Sequence, residues 1–141
     1  GPTGFFQSGT FSAHPVVMTA GLVTLQQLTP DAFSHLNRLG NRLRAGLNVL
    51  FTDLEFPAQA VGIGSLFTIY CTDQSIRNYR SGARHNDGAM AHRLFLSLIN
   101  QGFFLSQGLA MNALSLPMQE EHIDGLIEAV RRAVNDATGS P

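Results

Sequence analysis

Between Phe33 and Leu50 an apolar residue returns at every third or fourth place: Phe33, Leu36, Leu39, Leu43, Leu47 and Leu50. At 3.6 residues per turn these six positions share one side of a helix. Arg38 and Arg42 fall on the opposite side. Thr29 stands before the pattern as a cap and Pro30 suits the first helical position. Phe56-Pro57 ends it. A one-sided helix of this length has to bury its stripe, so the rest of the chain must supply the layer it lies on.

The remainder supplies strands. From Ala58 to Thr72 the period changes: Val61 and Ile63, then Phe67, Ile69 and Cys71, alternate with other residues, which predicts strands with an inward and an outward face. Gly62 and Gly64 point to a bulge or a close backbone approach. Residues 73 to 86 read as a polar loop. Asn86 or Asp87 then caps a helix to Asn100, with Leu94, Phe95 and Leu98 inward and Gly102 as its stop. Phe103 to Ser106 and Met111 to Leu116 are expected as short apolar strands around Gln107-Gly108. Pro117 opens the last helix. Glu120, Glu121 and Asp124 sit early in it and Arg131 and Arg132 late, as the helix dipole favours. Its inner face is Ile123, Leu126, Ile127, Val130 and Val134, and residues 136 to 141 read as a frayed end. The fold class is therefore α+β: a small, mostly antiparallel sheet packed against helices.

The first part differs in kind. Residues 1 to 12 read as loop, with Ser12 as a candidate helix cap. From Pro15 to Leu28 the chain is apolar on nearly every side: Val16, Val17, Met18, Ala20, Leu22, Val23, Leu25. A helix of that kind is buried or lies against a partner. Two parts follow: residues 1–28 as a loop with an interface or linker helix, and residues 29–141 as the packed domain.

Composition narrows the function. Charged residues make up 13% of the 141, against an average of about 25%, so part of the surface is expected to be covered. The net charge of −1 leaves no basic stripe for nucleic acid. Arg77, Arg80 and Arg84 read as a solvated loop. No apolar run is long enough to span a membrane. Cys71 is the single cysteine and sits in a strand pattern, so it reads as a core residue in a reducing, cytoplasmic setting.

Candidate chemistry is sparse. His14, His35, His85, His92 and His122 show no metal-ligand spacing, so no metal site is expected. Ser8, Ser12 and Ser65 lack the frame of a nucleophile elbow. Gly62-Ile63-Gly64-Ser65 resembles half a phosphate loop but lacks its lysine. Indeed all nine basic residues are arginine. No catalytic residue is assigned. What remains is Ser8-Gly9-Thr10, which is either a plain loop before a capped helix or an anion cradle built from turn N–H groups and a hydroxyl.

The stretch "GTFSAHPVVMTAGLVTL", residues 9 to 25, resembles the segment that opens the C-terminal part of class III pyridoxal-phosphate-dependent aminotransferases, the glutamate-1-semialdehyde 2,1-aminomutase branch among them. There a G-T-[FLY]-S-x-[NH]-P stretch precedes a long Ala-rich helix. "VGIGSLFTIYCT" (61 to 72), "FLSLINQGFFLS" (95 to 106) and "ALSLPMQEEHIDGLIEAV" (113 to 130) follow in the family's order and spacing. The resemblance implies a fold-type I transferase's C-terminal small domain, preceded by a long interface helix.

It also implies roles. The threonine matching Thr10 donates to the cofactor phosphate of the neighbouring subunit, and Gly9 lets the backbone come close. The 15–28 helix lies at the interface of a homodimer or higher oligomer. The parent enzyme would hold pyridoxal 5′-phosphate and take a small amino-acid or amine substrate. Such enzymes hold the cofactor as a Schiff base on a lysine and use that amine as a proton shuttle. This chain has no lysine, so it is expected to bind no cofactor covalently and to be inactive alone. The family's lysine lies in an N-terminal large domain, upstream of the segment matching Gly1. The resemblance also shows departures. His14 stands where asparagine is commoner. "LSQGLAMNALSLP" carries neither the late arginine some members use to grip a substrate carboxylate nor the aminomutase's glutamate, which leaves aminomutase and aminotransferase both open. The alternative is a stand-alone, non-catalytic α+β module, derived from a truncated aminotransferase, that oligomerises or binds a partner.

Overall fold

The computed structural model describes residues 9–139. Ser8 and the opening Gly1-Pro2-Thr3-Gly4, part of the expected loop, lie outside them. The elements are α1 (Pro15–Gln27), α2 (Pro30–Asp53), β1 (Gln59–Val61), β2 (Leu66–Tyr70), α3 (Tyr79–His85), α4 (Gly88–Asn100), β3 (Asn112–Ala113) and α5 (Glu120–Thr138), with a 3₁₀ turn at Gln107–Leu109. The chain divides into two compact units, the first reaching to Phe33 and the second starting at Ser34.

The second unit holds the core. Five of the stripe positions on α2, Leu36, Leu39, Leu43, Leu47 and Leu50, are buried, and each leucine so placed contributes about 1.5–3 kcal/mol. Phe33 departs from the expectation and is 51% exposed. The sheet runs β1-β2-β3, antiparallel throughout. Register pairs Ala60 with Ile69 and Phe67 with Asn112, and all four are buried. Their neighbours Val61, Leu66, Thr68 and Ala113 take the outer face, as period-2 alternation requires. Ile63 does not join the inner row. It sits in the turn between β1 and β2 and is 79% exposed, because Gly62 and Gly64 reverse the chain there with φ of 155° and 58°.

A ridge on α2 fixes this hairpin, four residues per step. A Cβ on Gly40 would lie 1.9 Å from the Gly64 carbonyl oxygen, so only glycine lets the turn sit so close. One turn on, Arg44 donates through Nη1 to the Gly64 and Leu66 carbonyls at 2.8 and 3.0 Å. One further turn on, the Asn48 amide accepts from Ala60 N–H at 2.8 Å and donates to Ala60 C=O at 3.0 Å. The outer edge of β1 is thereby covered at Ala60 and closed to further pairing.

Four other expectations are corrected. The polar loop at 73–86 contains a helix, α3, started by a reciprocal cap in which Asn78 Oδ1 accepts from Ser81 N–H and Ser81 Oγ accepts from Asn78 N–H. Gly82 of α3 packs on the Tyr70 ring. The strands expected at 103–106 and 111–116 shrink to β3, because Gly108, Leu109 and Met111 adopt positive φ and break the extended run. The last helix starts at Glu120 rather than at Pro117, with Gln119 as its cap and His122 Nδ1 accepting from Gln119 N–H at 3.1 Å. It also runs through Thr138 to a left-handed Gly139, so residues 136–138 are helical, not frayed. Inside it Ile123, Leu126, Val130 and Val134 are buried as expected, and Ile127 is half-buried.

Candidate functional site

The first unit contains the candidate anion-binding segment. Ser12 N–H closes a turn on the Gly9 carbonyl at 3.0 Å, and His14 N–H closes the next on Phe11 at 3.1 Å. Ala13 passes through left-handed φ at 59°. The cap of α1 is His14 and not Ser12: His14 is the residue with extended φ and ψ next to Pro15, and its Nδ1 accepts from Val16 N–H at 3.3 Å. The imidazole does here what an asparagine side-chain oxygen does at other helix starts. The Phe11 ring meets it edge-on, centroids 6.0 Å apart. Gly9 and Thr10 are both exposed. Among the described residues the Thr10 hydroxyl has no hydrogen-bond partner, so it is open to an external acceptor.

Every residue of α1 is exposed. Val16, Val17, Met18, Leu22, Val23 and Leu25 present apolar surface on several sides. Even its threonines turn inward on the backbone: Thr19 Oγ1 donates to Pro15 C=O and Thr24 Oγ1 to Ala20 C=O. A helix with so little outward polarity and no burial of its own has the composition of an interface element.

Among the described residues of the second unit, several titratable side chains are engaged in packing and local bonds. Burial pushes the Cys71 thiol up to about 12, with the Asp87 charge adding to the effect, so it stays protonated at neutral pH. Its backbone is held on both sides by the α3–α4 junction, Cys71 N–H donating to Asn86 Oδ1 and Asp87 N–H to Cys71 C=O. His35 bonds through Nε2 to the Met118 carbonyl, and Arg38 lies on its Nδ1. No three His, Cys, Asp or Glu groups among the described residues are placed to hold a metal ion. Arg42 forms a two-pronged pair with Asp124 at 2.9 and 2.8 Å. The shared hydrogen bonds raise the Arg42 guanidinium and lower the Asp124 carboxyl.

One feature had no signal in the sequence beyond a run of aromatic and small residues. A groove of about 340 Å³ opens beside β3, with Phe103–Leu105 on its lining as well as Asn112, Leu114 and Leu126. The loop at its rim folds around one buried amide: Asn112 Oδ1 accepts from Ser106 N–H at 2.8 Å and Nδ2 donates to Leu109 C=O at 3.0 Å. Ser106 Oγ also donates to the Ala110 carbonyl.

An α+β unit of this kind, helices on a small antiparallel sheet, is the fold of the small domain of fold-type I pyridoxal-phosphate transaminases. The chain is similar to the C-terminal part of curated glutamate-1-semialdehyde 2,1-aminomutases. That of Methanothermobacter thermautotrophicus is 34% identical over 131 residues, which is 92% of this chain and 31% of the relative. The solved omega-transaminase of Sphaerobacter thermophilus matches with a TM-score of 0.82 at 33% identity, over 95% of this chain and 31% of its own. A transaminase solved with PLP bound matches with a TM-score of 0.76 at 24% identity, over 94% of this chain and 30% of its own, which shows the fold alone. No family model matches the chain. The chain thus spans about a third of the length of the relatives it matches.

Proposed function

We propose that this chain is the C-terminal small domain, with its leading interface helix, of a dimeric pyridoxal-phosphate-dependent aminotransferase or aminomutase. The observation that carries this reading is the joint match: an alignment over 92% of the chain to an aminomutase, and a superposition over 95% of it on a transaminase. In this reading the Thr10 hydroxyl donates to the cofactor phosphate bound in the neighbouring subunit, and Gly9 lets the backbone approach it. The free hydroxyl and the tight turn ahead of α1 fit a phosphate on chemical grounds. When bound, the cofactor supplies the electron sink for moving an amino group. This chain's own part is to hold the phosphate and to bury α1 against the second subunit. The proton-carrying amine belongs to an upstream large domain, since there is no lysine among these 141 residues. The substrate is a small amino acid or amine. A cytoplasmic location completes the reading, supported by a single, buried, unpaired cysteine.

Reading the gene upstream of Gly1 tests it. An in-frame, lysine-bearing domain of about twice this chain's length is the expected result, given that this chain spans 31% of the relatives. A start codon directly before Gly1 would overturn it, and the apolar, uncovered α1 would then favour a stand-alone oligomerisation module.

A further inference from the structure

The nine arginines divide into two groups. Five are engaged: Arg38 on His35, Arg42 on Asp124, Arg44 on the Gly64 and Leu66 carbonyls, Arg131 on Glu128 and Arg132 on Gln101. Among the described residues the guanidinium groups of the other four, Arg77, Arg80, Arg84 and Arg93, make no hydrogen bond or ion pair. Three of these four stand within eight residues, on α3 and its approach.

The fold turns them outward. Gly82 is buried against the Tyr70 ring, where a Cβ would lie 2.6 Å from Cζ. At about 100° per residue, Arg80 and Arg84 each lie about 160° around α3 from that contact. One turn apart, they share its solvent face. Arg77 is tied to the first turn by its N–H, which donates to Ser81 Oγ at 3.0 Å. The carboxylates on either side in the sequence serve other donors: Asp73 Oδ1 accepts from Gln74 Nε2, and Asp87 Oδ1 from Ala89 and Met90 N–H. Tyr79 is 81% exposed, and a shallow recess runs between Tyr79, Arg80, Ala83 and Arg84. So open a recess does not enclose a small molecule. Nucleic acid asks for a wider positive field than three cations on a chain of net charge −1. Tyrosine and arginine are, however, the residue types that carry most energy where proteins meet.

We infer that the outer face of α3, Tyr79 with Arg77, Arg80 and Arg84, is a docking surface for an acidic segment of another protein. Charge complementarity argues for that occupant, because free guanidinium forks match the geometry of carboxylates. An acidic helix with carboxylates one turn apart meets Arg80 and Arg84, its next carboxylate meets Arg77, and an apolar side chain covers the Tyr79 ring. The inference does not rest on the aminotransferase reading.

The test titrates the 141-residue chain with synthetic peptides in which glutamate and aspartate, at helical or alternating spacing, are interspersed with leucine, and follows backbone amide chemical shifts. At least one peptide is expected to bind, with shifts centred on residues 77–85. Arg80→Glu together with Arg84→Glu should weaken that binding roughly tenfold or more. The same peptide with lysine at its acidic positions should bind the reversed protein instead, which separates lost charge from lost folding. Tyr79→Ala should weaken binding about fivefold, whereas Arg93→Glu, at the free arginine outside the patch, should change it less than about twofold. Raising the salt from about 0.1 M to about 1 M, which cuts the screening length from about 10 Å to about 3 Å, should weaken it roughly tenfold. Tripolyphosphate and a single-stranded oligonucleotide serve as competing probes. Binding by none of the peptides, shifts centred elsewhere, an unaffected double variant, a lysine peptide that ignores the reversed protein, or tighter binding of either phosphate probe overturns the assignment.

Discussion

Asn48 is where the sheet meets α2, and Asn48→Ala should cost more than an exposed helical asparagine normally does. Its amide satisfies both backbone groups of Ala60 at 2.8 and 3.0 Å, and Ala60 is only 3% exposed. Two neutral hydrogen bonds contribute about 1 kcal/mol each. Alanine returns about 0.5 kcal/mol in helix propensity, and water enters the vacated space to meet part of the lost bonding. The net loss is about 1–1.5 kcal/mol. With a urea slope of about 1.5 kcal/mol per molar, the midpoint falls by about 0.7–1 M at unchanged slope. Asn48→Leu discriminates further. Its side chain shuts water out and leaves the Ala60 N–H and C=O buried and unpaired, so it should cost about 3–4 kcal/mol despite being more apolar. The assay is urea unfolding followed by far-ultraviolet circular dichroism on the wild type and both variants. A fall below about 0.3 M for Ala, or a Leu variant more stable than the Ala variant, refutes the reasoning that this amide holds the edge of β1.

Gly40→Ala drives a methyl to 1.9 Å from the Gly64 carbonyl, so the turn must retreat, at about 1–3 kcal/mol, read as a lower melting temperature. Arg42 holds the Asp124 carboxyl below its ordinary 3.8, so whatever stability this pair lends is complete above that value and disappears as pH falls through the depressed one. An acid titration of Asp124→Asn should therefore lose stability less steeply at the acid end than wild type. The Cys71 thiol, pushed up to about 12 by burial, should resist iodoacetamide at pH 8 in the folded chain and react fully once urea unfolds it. In the proposed full-length dimer, Thr10→Ala would remove a charge-assisted hydrogen bond of about 1.5–3 kcal/mol. It should weaken pyridoxal-phosphate binding by about one to two powers of ten, with Thr10→Ser keeping most of it. Equal affinity in all three proteins would make Thr10 an ordinary turn residue.

Periodicity carried the parts of the fold where it runs long. The leucine row of α2 and the Ile123–Val134 row of α5 repeat over several turns, and both lie in the core. It failed where the structure is decided by single atoms. Ile63 kept the strand alternation in the sequence, yet two positive-φ glycines turned it out to solvent. The apolar runs at 103–106 and 111–116 looked like strands, but left-handed backbone at Leu109 and Met111, around the buried Asn112 amide, allows only a two-residue β3. Asn78-x-x-Ser81 was a legible cap for α3, hidden because the helix behind it has only seven residues and no apolar stripe. The candidate anion turn was legible as Gly9-Thr10, whereas the choice of His14 over Ser12 as cap depended on backbone angles that no residue pattern specifies. The Gly40–Arg44–Asn48 ridge had the right spacing in the sequence but mixed chemistry, which conceals it from a search for apolar faces.

That ridge also sets an order of assembly. Asn48 reaches Ala60 across 12 residues, whereas Arg42 reaches Asp124 across 82. Loop closure grows with the logarithm of length, so the second contact costs about 1.7 kcal/mol more chain entropy than the first. The hairpin is therefore expected to dock on α2 while α5 is still searching. Asn48→Ala should slow folding nearly in proportion to its loss of stability, and Asp124→Asn should act on unfolding. The segment from Pro30 to Tyr70 would then be the nucleus on which the three later helices condense.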